Sequence, residues 1–217
     1  YLDSNAKSKI IGIYDINDNI IQPNEEKIFK KILNEQNSIN DSVIVADYGH
    51  GLLSEKIIDY IIKNAKHLSV NTQLNSANYG FHTISKYKRI QYACMHEGEL
   101  RHDFRSRSRK IEDLAIDLYK RVNAETVTVT QGDRGALCYD STNGFEKCPA
   151  FANKIVDKVG AGDTLFSFTA LANSVEMPND ISLLLGSLAA TETVASLGNS
   201  RSISKDSLLK TLETIFK

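Results

Sequence analysis

What the sequence lacks narrows its function before any motif is read. Its three cysteines, Cys94, Cys138 and Cys148, are odd in number and show no C-x-x-C spacing, so neither a disulfide framework nor a zinc knuckle is indicated. A reducing cytoplasm is the simplest home for such a chain. No apolar run approaches the roughly 18 to 20 residues that span a bilayer, and the N-terminus has no basic-then-apolar signal pattern. Neither sign of charge dominates: 26 Lys and Arg stand against 27 Asp and Glu, a formal net charge of -1. Nucleic acid and anionic membrane therefore lose their general electrostatic rationale, and small molecules become the expected partners. Repeats, low-complexity tracts and linkers are missing, as is the G-x-x-x-x-G-K-[ST] phosphate loop. The chain also begins at Tyr1 instead of a methionine, which reads as a processed or truncated product.

What is present suits one globular domain over residues 1–217 with a sizeable core: 41% of residues are hydrophobic and 24% charged. The short β-branched runs "SKIIGIYDI" (Ser8 to Ile16) and "SVIVAD" (Ser42 to Asp47) read as strands. Between them "NEEKIFKKILNEQN" predicts an amphipathic helix with Asn24 as N-cap and Ile28, Ile32 and Leu33 on one face. Ser54 caps a second helix, "SEKIIDYIIKNAK", and "HLSVN" follows as a strand, completing a βαβ unit. The pattern recurs with "IQYACM" (Ile90 to Met95) as strand, "IEDLAIDLYKRV" (Ile111 to Val122) as helix and "TVTVT" (Thr126 to Thr130) as strand. Such alternation predicts an α/β fold, a mostly parallel sheet with both faces covered by helices. "GALCYD" and "FEKCPA" around "STNG" predict an antiparallel hairpin at the sheet edge, and helices are expected over about Thr164 to Ser174, Asp180 to Ser196 and Ser204 to Phe216.

Ligands of open parallel sheets bind beyond the carboxyl ends of the strands. Five polar loops belong there: Asp47 to Gly51, Asn71 to Gly80, His96 to Glu99, Thr130 to Gly135 and Asp157 to Asp163. Ordinary turn chemistry is the alternative for any one of them. The most telling is "DKVGAGDTLFSF" (Asp157 to Phe168). Gly160 and Gly162 permit backbone angles that larger residues resist and leave room for a ligand to approach. The amides of Gly160, Ala161 and Gly162 at a helix N-terminus would form an anion hole. A carboxylate at Asp163 would repel a phosphate if binding were its only task, so it makes better sense as a base toward a hydroxyl that attacks that phosphate. An ordinary helix start with Asp163 as a stabilising acid is the alternative.

Other motifs carry less. "GAGDTL" begins like a dinucleotide fingerprint, but Leu165 stands at the third glycine position, late in the chain. In "HEGELRH" the two histidines, His96 and His102, are six apart and project to different sides of a helix, which fails the zincin geometry. The basic run "RHDFRSRSRK" (Arg101 to Lys110) could meet RNA or an acidic substrate, yet acids follow at Glu112 and Asp113, and a solvated loop and helix start is the expectation. Cys94 and Cys138 lie in strands and are expected to be buried and inert.

"DKVGAGDTLFSF" resembles the C-terminal signature of the PfkB/ribokinase family of carbohydrate and nucleoside kinases, D-x-x-G-A-G-D-x-F/L. "VTVTQGDRGAL" (Val127 to Leu137) resembles that family's second nucleotide-binding stretch, and "VIVADYGHGLLS" the D-Y-G-K/H-G segment of its heptose-kinase-like branch. The resemblance implies a ribokinase-like three-layer sandwich with an edge hairpin. It implies an enzyme that transfers the γ-phosphoryl group of ATP to a hydroxyl of a sugar or sugar phosphate, uses Mg2+ and allows a monovalent cation. Asp163 would be the catalytic base, and Gly160, Ala161 and Gly162 the anion hole. Asn71, Thr130, Gly132, Gly135, Gly198 and Asn199 would border the nucleotide, Glu99 would hold the metal through water, and Asp47 and His50 would face the substrate. Where the family has N-x-x-E this chain has "HEGE", with His96 in place of the asparagine, which puts metal affinity in doubt. Family members carry a further stretch of roughly 90 to 120 residues ahead of the matching part, with the sugar-binding segment and much of the lid. Residues 1–16 would then belong to the lid or the neighbouring edge, and the homodimer that lid strands build in relatives would be weak or altered. A nucleotide-binding remnant acting as an assembly module, and a nucleoside or vitamin kinase, remain as alternatives.

Overall fold

The computed structural model describes the chain apart from residues 1, 2, 4–9, 12, 14, 76, 77, 153, 154, 198–201 and 217. Its organising element is a six-stranded sheet in strict chain order: β1 (Val43–Asp47), β2 (Leu68–Thr72), β3 (Tyr92–His96), β4 (Thr126–Thr130), β5 (Ala136–Asp140) and β6 (Gly144–Cys148). β1 to β4 are parallel, and β5 and β6 return antiparallel as the expected edge hairpin. Register lines up the strand ends. Asp47 sits opposite Thr72 and His96 opposite Thr130, so the loops after all four parallel strands open onto one rim.

Seven helices are described: α1 (Pro23–Ile39), α2 (Glu55–Asn64), α3 (Glu97–Asp103), α4 (Ile111–Val122), α5 (Ala161–Ser174), α6 (Asn179–Val194) and α7 (Lys205–Ile215). Strand alternation sorts them into two layers. Ala93 and Met95 of β3 join a core with Ile57, Ile58 and Ile61 of α2 and Leu114 and Leu118 of α4. Tyr92 and Cys94 face the other way, onto Leu165, Phe166 and Ala170 of α5 and Leu183 of α6. The result is helix, sheet, helix, with α7 packed outside α6 through Leu208 and Leu188.

Local sequence accounts for most element ends. Ser54 Oγ accepts the Ile57 N–H at the start of α2, and Asn123 stops α4 in the left-handed region at φ 50°. α1 starts one residue before the expected cap: Pro23 occupies its first turn, and Gln22, with Glu25 reaching back to its N–H, takes the capping place expected of Asn24. β3 begins at Tyr92 instead of Ile90, because the Gln91 side chain already accepts the Leu68 N–H at 2.8 Å and so takes a ladder position. α5 begins three residues earlier than Thr164, at Ala161. The expected strand over residues 8–16 is not found where it can be followed: residues 10, 11, 13, 15 and 16 lie outside any strand, and the rest fall outside the described residues. Among the described residues no helix is long and apolar enough to cross a membrane.

Candidate active site

Gly160 takes the N-cap of α5 at φ 82°, a left-handed conformation that side chains resist, and this turns the chain abruptly into the helix. Thr164 donates to the Gly160 carbonyl, while the Ala161 N–H reaches the Lys158 carbonyl only at 3.4 Å. The first amides of α5 thus lie in the turn where helices leave donors without intrahelical acceptors. A Cβ built on Gly162 would meet nothing within 4 Å. The first turn of α5 therefore has open space beside its amides at Gly162.

Asp163 lies in that first turn, half-buried, and its carboxylate is held from two directions. Tyr48 donates its hydroxyl to Oδ2 at 3.2 Å, and Gln73 donates its amide to Oδ1 at 3.1 Å. These partners come from the loops after β1 and β2, across the rim from α5. Burial, together with the charge of Asp163, pushes the Tyr48 phenol up, so it stays a donor at neutral pH. Tyr48 is the tyrosine of the D-Y-G-K/H-G segment, which carries no sign of its contact with Asp163, and Gln73 belongs to no motif; both lie inside polar loops that the strand pattern places at the rim.

Glu99 is close behind. Its two oxygens accept the backbone N–H groups of Leu74 at 3.1 Å and His96 at 2.9 Å. Burial raises its carboxyl above the ordinary value; those two amides counteract this, and the negative charge of Asp163 adds to it. "HEGE" is not a loop here: it is the start of α3. His96 is the N-cap, its Nδ1 accepts the Gly98 N–H at 3.0 Å, and Glu99 closes the capping box. That bond leaves Nε2 as the donor nitrogen of neutral His96. Asn71 is buried at the end of β2; its amide donates to the Cys94 carbonyl at 2.8 Å, and its Oδ1 has no partner among the described residues.

Asp47 and His50 are engaged within the protein. Asp47 is 5% exposed and accepts Lys86 Nζ and the Tyr87 hydroxyl, each at 2.7 Å, and the Gly49 N–H at 2.9 Å. Burial pushes its carboxyl up, but Lys86, Tyr87 and Gly49 outweigh that and hold it below the usual range. His82 Nε2 bonds the Asp47 carbonyl, so one residue ties the loop carrying Tyr48 to the segment 82–87. His50 lies 2.6 Å from Asp18 Oδ1. The three cysteines are buried, as expected of Cys94 and Cys138, and burial raises every thiol, that of Cys138 to about 12.

A cavity of about 410 Å3 opens beside this cluster, within the range of small-molecule sites. Thr130, Gly132 and Gly135 form one wall, and Ala161 and Gly162 of α5 another. His96 and Lys158 supply polar atoms, and Leu165, Ala190 and Val194 make the interior apolar. The structure thus gathers three of the expected nucleotide residues and two of the expected anion-hole residues into one space. Gly198 and Asn199 lie outside the described residues. Gly135 has a second role: at φ 86°, any Cβ would meet the Cys148 carbonyl at 2.0 Å, so the turn after β4 can close against the hairpin only with glycine. Among the described residues no group of three or more His, Cys, Asp and Glu could cage a metal. Hydrated Mg2+ needs no such cage, since it keeps several waters and uses one or two carboxylates with substrate phosphates. The orphaned Asn71 Oδ1 and the Glu99 carboxylate fit that mode.

Comparison with known proteins bears on the family and the fold. Residues 19–206 match the pfkB family carbohydrate kinase description. Among curated proteins, the chain is 27% identical over 179 residues to the bifunctional protein HldE of Bradyrhizobium diazoefficiens, covering 80% of this chain and 35% of that one. It is 28% identical over 192 residues to HldE of Aliarcobacter butzleri, covering 86% and 39%. The chain thus spans little more than a third of the length of these relatives. Among solved structures, Escherichia coli phosphofructokinase-2 in complex with potassium superposes with a TM-score of 0.74 at 17% identity, over 91% of this chain and 64% of that one. Thermotoga maritima ribokinase gives 0.68 at 21%, over 85% and 61%. The sheet order, the two helical layers and the edge hairpin are therefore those of a ribokinase-like fold, and the chain belongs to the pfkB family of carbohydrate kinases.

Proposed function

We propose that this chain carries the nucleotide and base half of an ATP-dependent kinase acting on a hydroxyl of a sugar or sugar phosphate. The observation that carries the reading is Asp163. A carboxylate in the first turn of α5, beside open backbone donors and the 410 Å3 cavity, is held toward the rim by Tyr48 and Gln73. In this reading the nucleotide occupies the cavity with its phosphates toward the start of α5. An acceptor hydroxyl on the Tyr48 side gives its proton to Asp163 as its oxygen bonds the γ-phosphorus. The bond to the β–γ bridging oxygen breaks, and ADP leaves with that electron pair. The amides of Gly160, Ala161 and Gly162 stabilise the charge on the transferring group. Glu99 and Asn71 would hold a hydrated Mg2+, which when bound neutralises phosphate charge. Tyr48 and Gln73 orient the base, and Asp47 positions Tyr48 through its loop.

The resemblance of Asp47 to Gly51 to the heptose-kinase-like segment, together with the HldE relatives, supports a heptose-phosphate-like acceptor. Calorimetric titration of MgATP into the parent and Asp163→Asn, with a transfer assay over sugars and sugar phosphates, tests the reading. Both proteins are expected to bind, and only the parent to turn over. Binding without turnover in either would favour a nucleotide-binding module, for which the replacement of the family asparagine by His96 is the supporting observation. No nucleotide binding at all would refute the proposal.

A further inference from the structure

The basic run at residues 101–110 is not used by the kinase reading, and it is not simply a solvated loop. Arg101, His102, Arg105, Ser106 and Arg107, with Tyr79 from the loop after β2 and Gly98, line a second cavity of about 350 Å3. Among the described residues no acidic side chain lines it. The run holds five cations, Arg101, Arg105, Arg107, Arg109 and Lys110, against one acid, Asp103, which turns away to pair with Arg121 and Ser85.

The cations are not equivalent. Arg109 is neutralised by Asp117 at 2.7 Å. Arg101 is fixed: its Nε donates to Glu97 at 2.8 Å, and its Nη1 bridges the carbonyls of Arg107 at 3.2 Å and Arg109 at 2.9 Å. That bridge curls the run back on itself and sets the cavity wall. Among the described residues Arg105 and Arg107 have no acidic partner, and both are exposed. Arg105 is also held at φ 48°, where its N–H caps the His102 carbonyl and the Ser106 N–H caps that of Arg101. Asparagine or glycine would take this backbone more readily than arginine. The same lining includes the His102 and Tyr79 rings, whose centroids lie 4.3 Å apart.

We infer that this cavity is a second ligand site that takes a phosphorylated small molecule. The forked guanidiniums of Arg105 and Arg107 match a phosphate group, and the Tyr79 and His102 rings, tilted by 49° to each other, offer aromatic surface to the organic part. RNA fits less well. The cavity's volume of about 350 Å3 suits one small molecule, and the chain's formal net charge of -1 gives no general attraction for a nucleic-acid backbone. The site is separate from the first cavity but mechanically close to it. Gly98 lines the second cavity, His96 lines the first, and the two are joined by the N-terminal turn of α3. The inference does not depend on phosphoryl transfer.

Residue-resolved NMR titration of the whole chain with inorganic phosphate at fixed ionic strength tests it. Saturable shifts at the amides of Gly98, Arg105, Ser106 and Arg107 are expected. They should weaken at least tenfold in Arg105→Gln/Arg107→Gln and by less in Arg107→Lys, with the response at Gly160 to Asp163 unchanged in both. The spectra themselves report that each variant is folded. Non-saturating drift, an equal response in the double variant, or shifts confined to α5 would overturn the site. So would a single-stranded oligonucleotide that binds these residues more tightly as it lengthens.

Discussion

Replacing Asp47 by alanine offers the sharpest test of how the rim is held. The carboxylate is 5% exposed and is the acceptor shared by Lys86 Nζ, the buried Tyr87 hydroxyl and the Gly49 N–H. Its removal leaves the Tyr87 hydroxyl and the Gly49 N–H without this acceptor and Lys86 without its anion, with His82 Nδ1 at 3.1 Å left beside the ammonium. Breaking a buried ion pair from one side costs about 3–5 kcal/mol. Lys86 keeps 32% of its side chain in water and can rehydrate, which places the expected loss near the lower end, about 3 kcal/mol. With a urea m-value of about 2 kcal/mol/M, the unfolding midpoint should fall by about 1.5 M at unchanged m. Asp47→Asn keeps an acceptor for Tyr87 and should lose only about 1–2 kcal/mol. A double-mutant cycle with Tyr87→Phe should return a coupling of about 1 kcal/mol or more. Urea unfolding followed by circular dichroism reads all three. An Asp47→Ala midpoint within experimental error of the parent would refute the claim that this residue ties the Tyr48 loop to the segment 82–87.

Three further outcomes are expected. Burial holds His82 below its ordinary value of 6.5 despite the neighbouring Asp47; the unfolded chain therefore protonates first, and stability should decline as pH falls below about 6.5. The slope of urea midpoint against pH should be shallower in His82→Gln, with His67, also lowered by burial, supplying the remainder; an unchanged slope would show that His82 titrates normally. Tyr48→Phe removes one of the two donors on Asp163 and should lower kcat about tenfold while MgATP affinity, read by calorimetry, stays within twofold; a loss of MgATP affinity would place Tyr48 elsewhere in the mechanism. Gly135→Ala drives a Cβ into the Cys148 carbonyl at a positive φ, and a loss of at least about 2 kcal/mol in urea unfolding is expected, against about 1 kcal/mol or less for Gly132→Ala, where the space is open.

How far the sequence predicts this arrangement depends on the range of the interaction. β4 and α4 occur over the residues expected, because alternation at Thr126 to Thr130 and the apolar spacing from Ile111 to Val122 are properties of neighbours in the chain. The hairpin follows equally from its turn residues. α3 is missed because it is seven residues long and is capped by a histidine, a residue outside the usual capping set. The run at residues 8–16 has strand composition, yet its described residues 10, 11, 13, 15 and 16 lie outside any strand, since composition alone does not set strand pairing. Within the site, Asp163 and the glycines before it are visible as a local motif. The pairing of Asp163 with Tyr48 and Gln73 is not, since those contacts span 115 and 90 residues. The second cavity is hidden for a similar reason: sequence shows a basic run, but only folding pairs off Arg101 and Arg109 and brings Arg105 and Arg107 into one lining with Tyr79 and His102.

The strict chain order of the sheet has a kinetic consequence. Every strand pairs with its neighbour in sequence, so each pairing closes a short loop at small entropic cost. The α5 and α6 layer is different. Tyr92 bonds Thr169 across 77 residues, and Tyr48 reaches Asp163 across 115. Loop-closure cost predicts that the sheet with α2 and α4 forms first and that α5 docks on it late. Pulsed hydrogen exchange during refolding should then protect β2, β3 and β4 before α5, and simultaneous protection would contradict this order. On that route Asp163 meets Tyr48 and Gln73 only when the rest of the domain is in place, and a partly folded chain lacks the assembled carboxylate cluster.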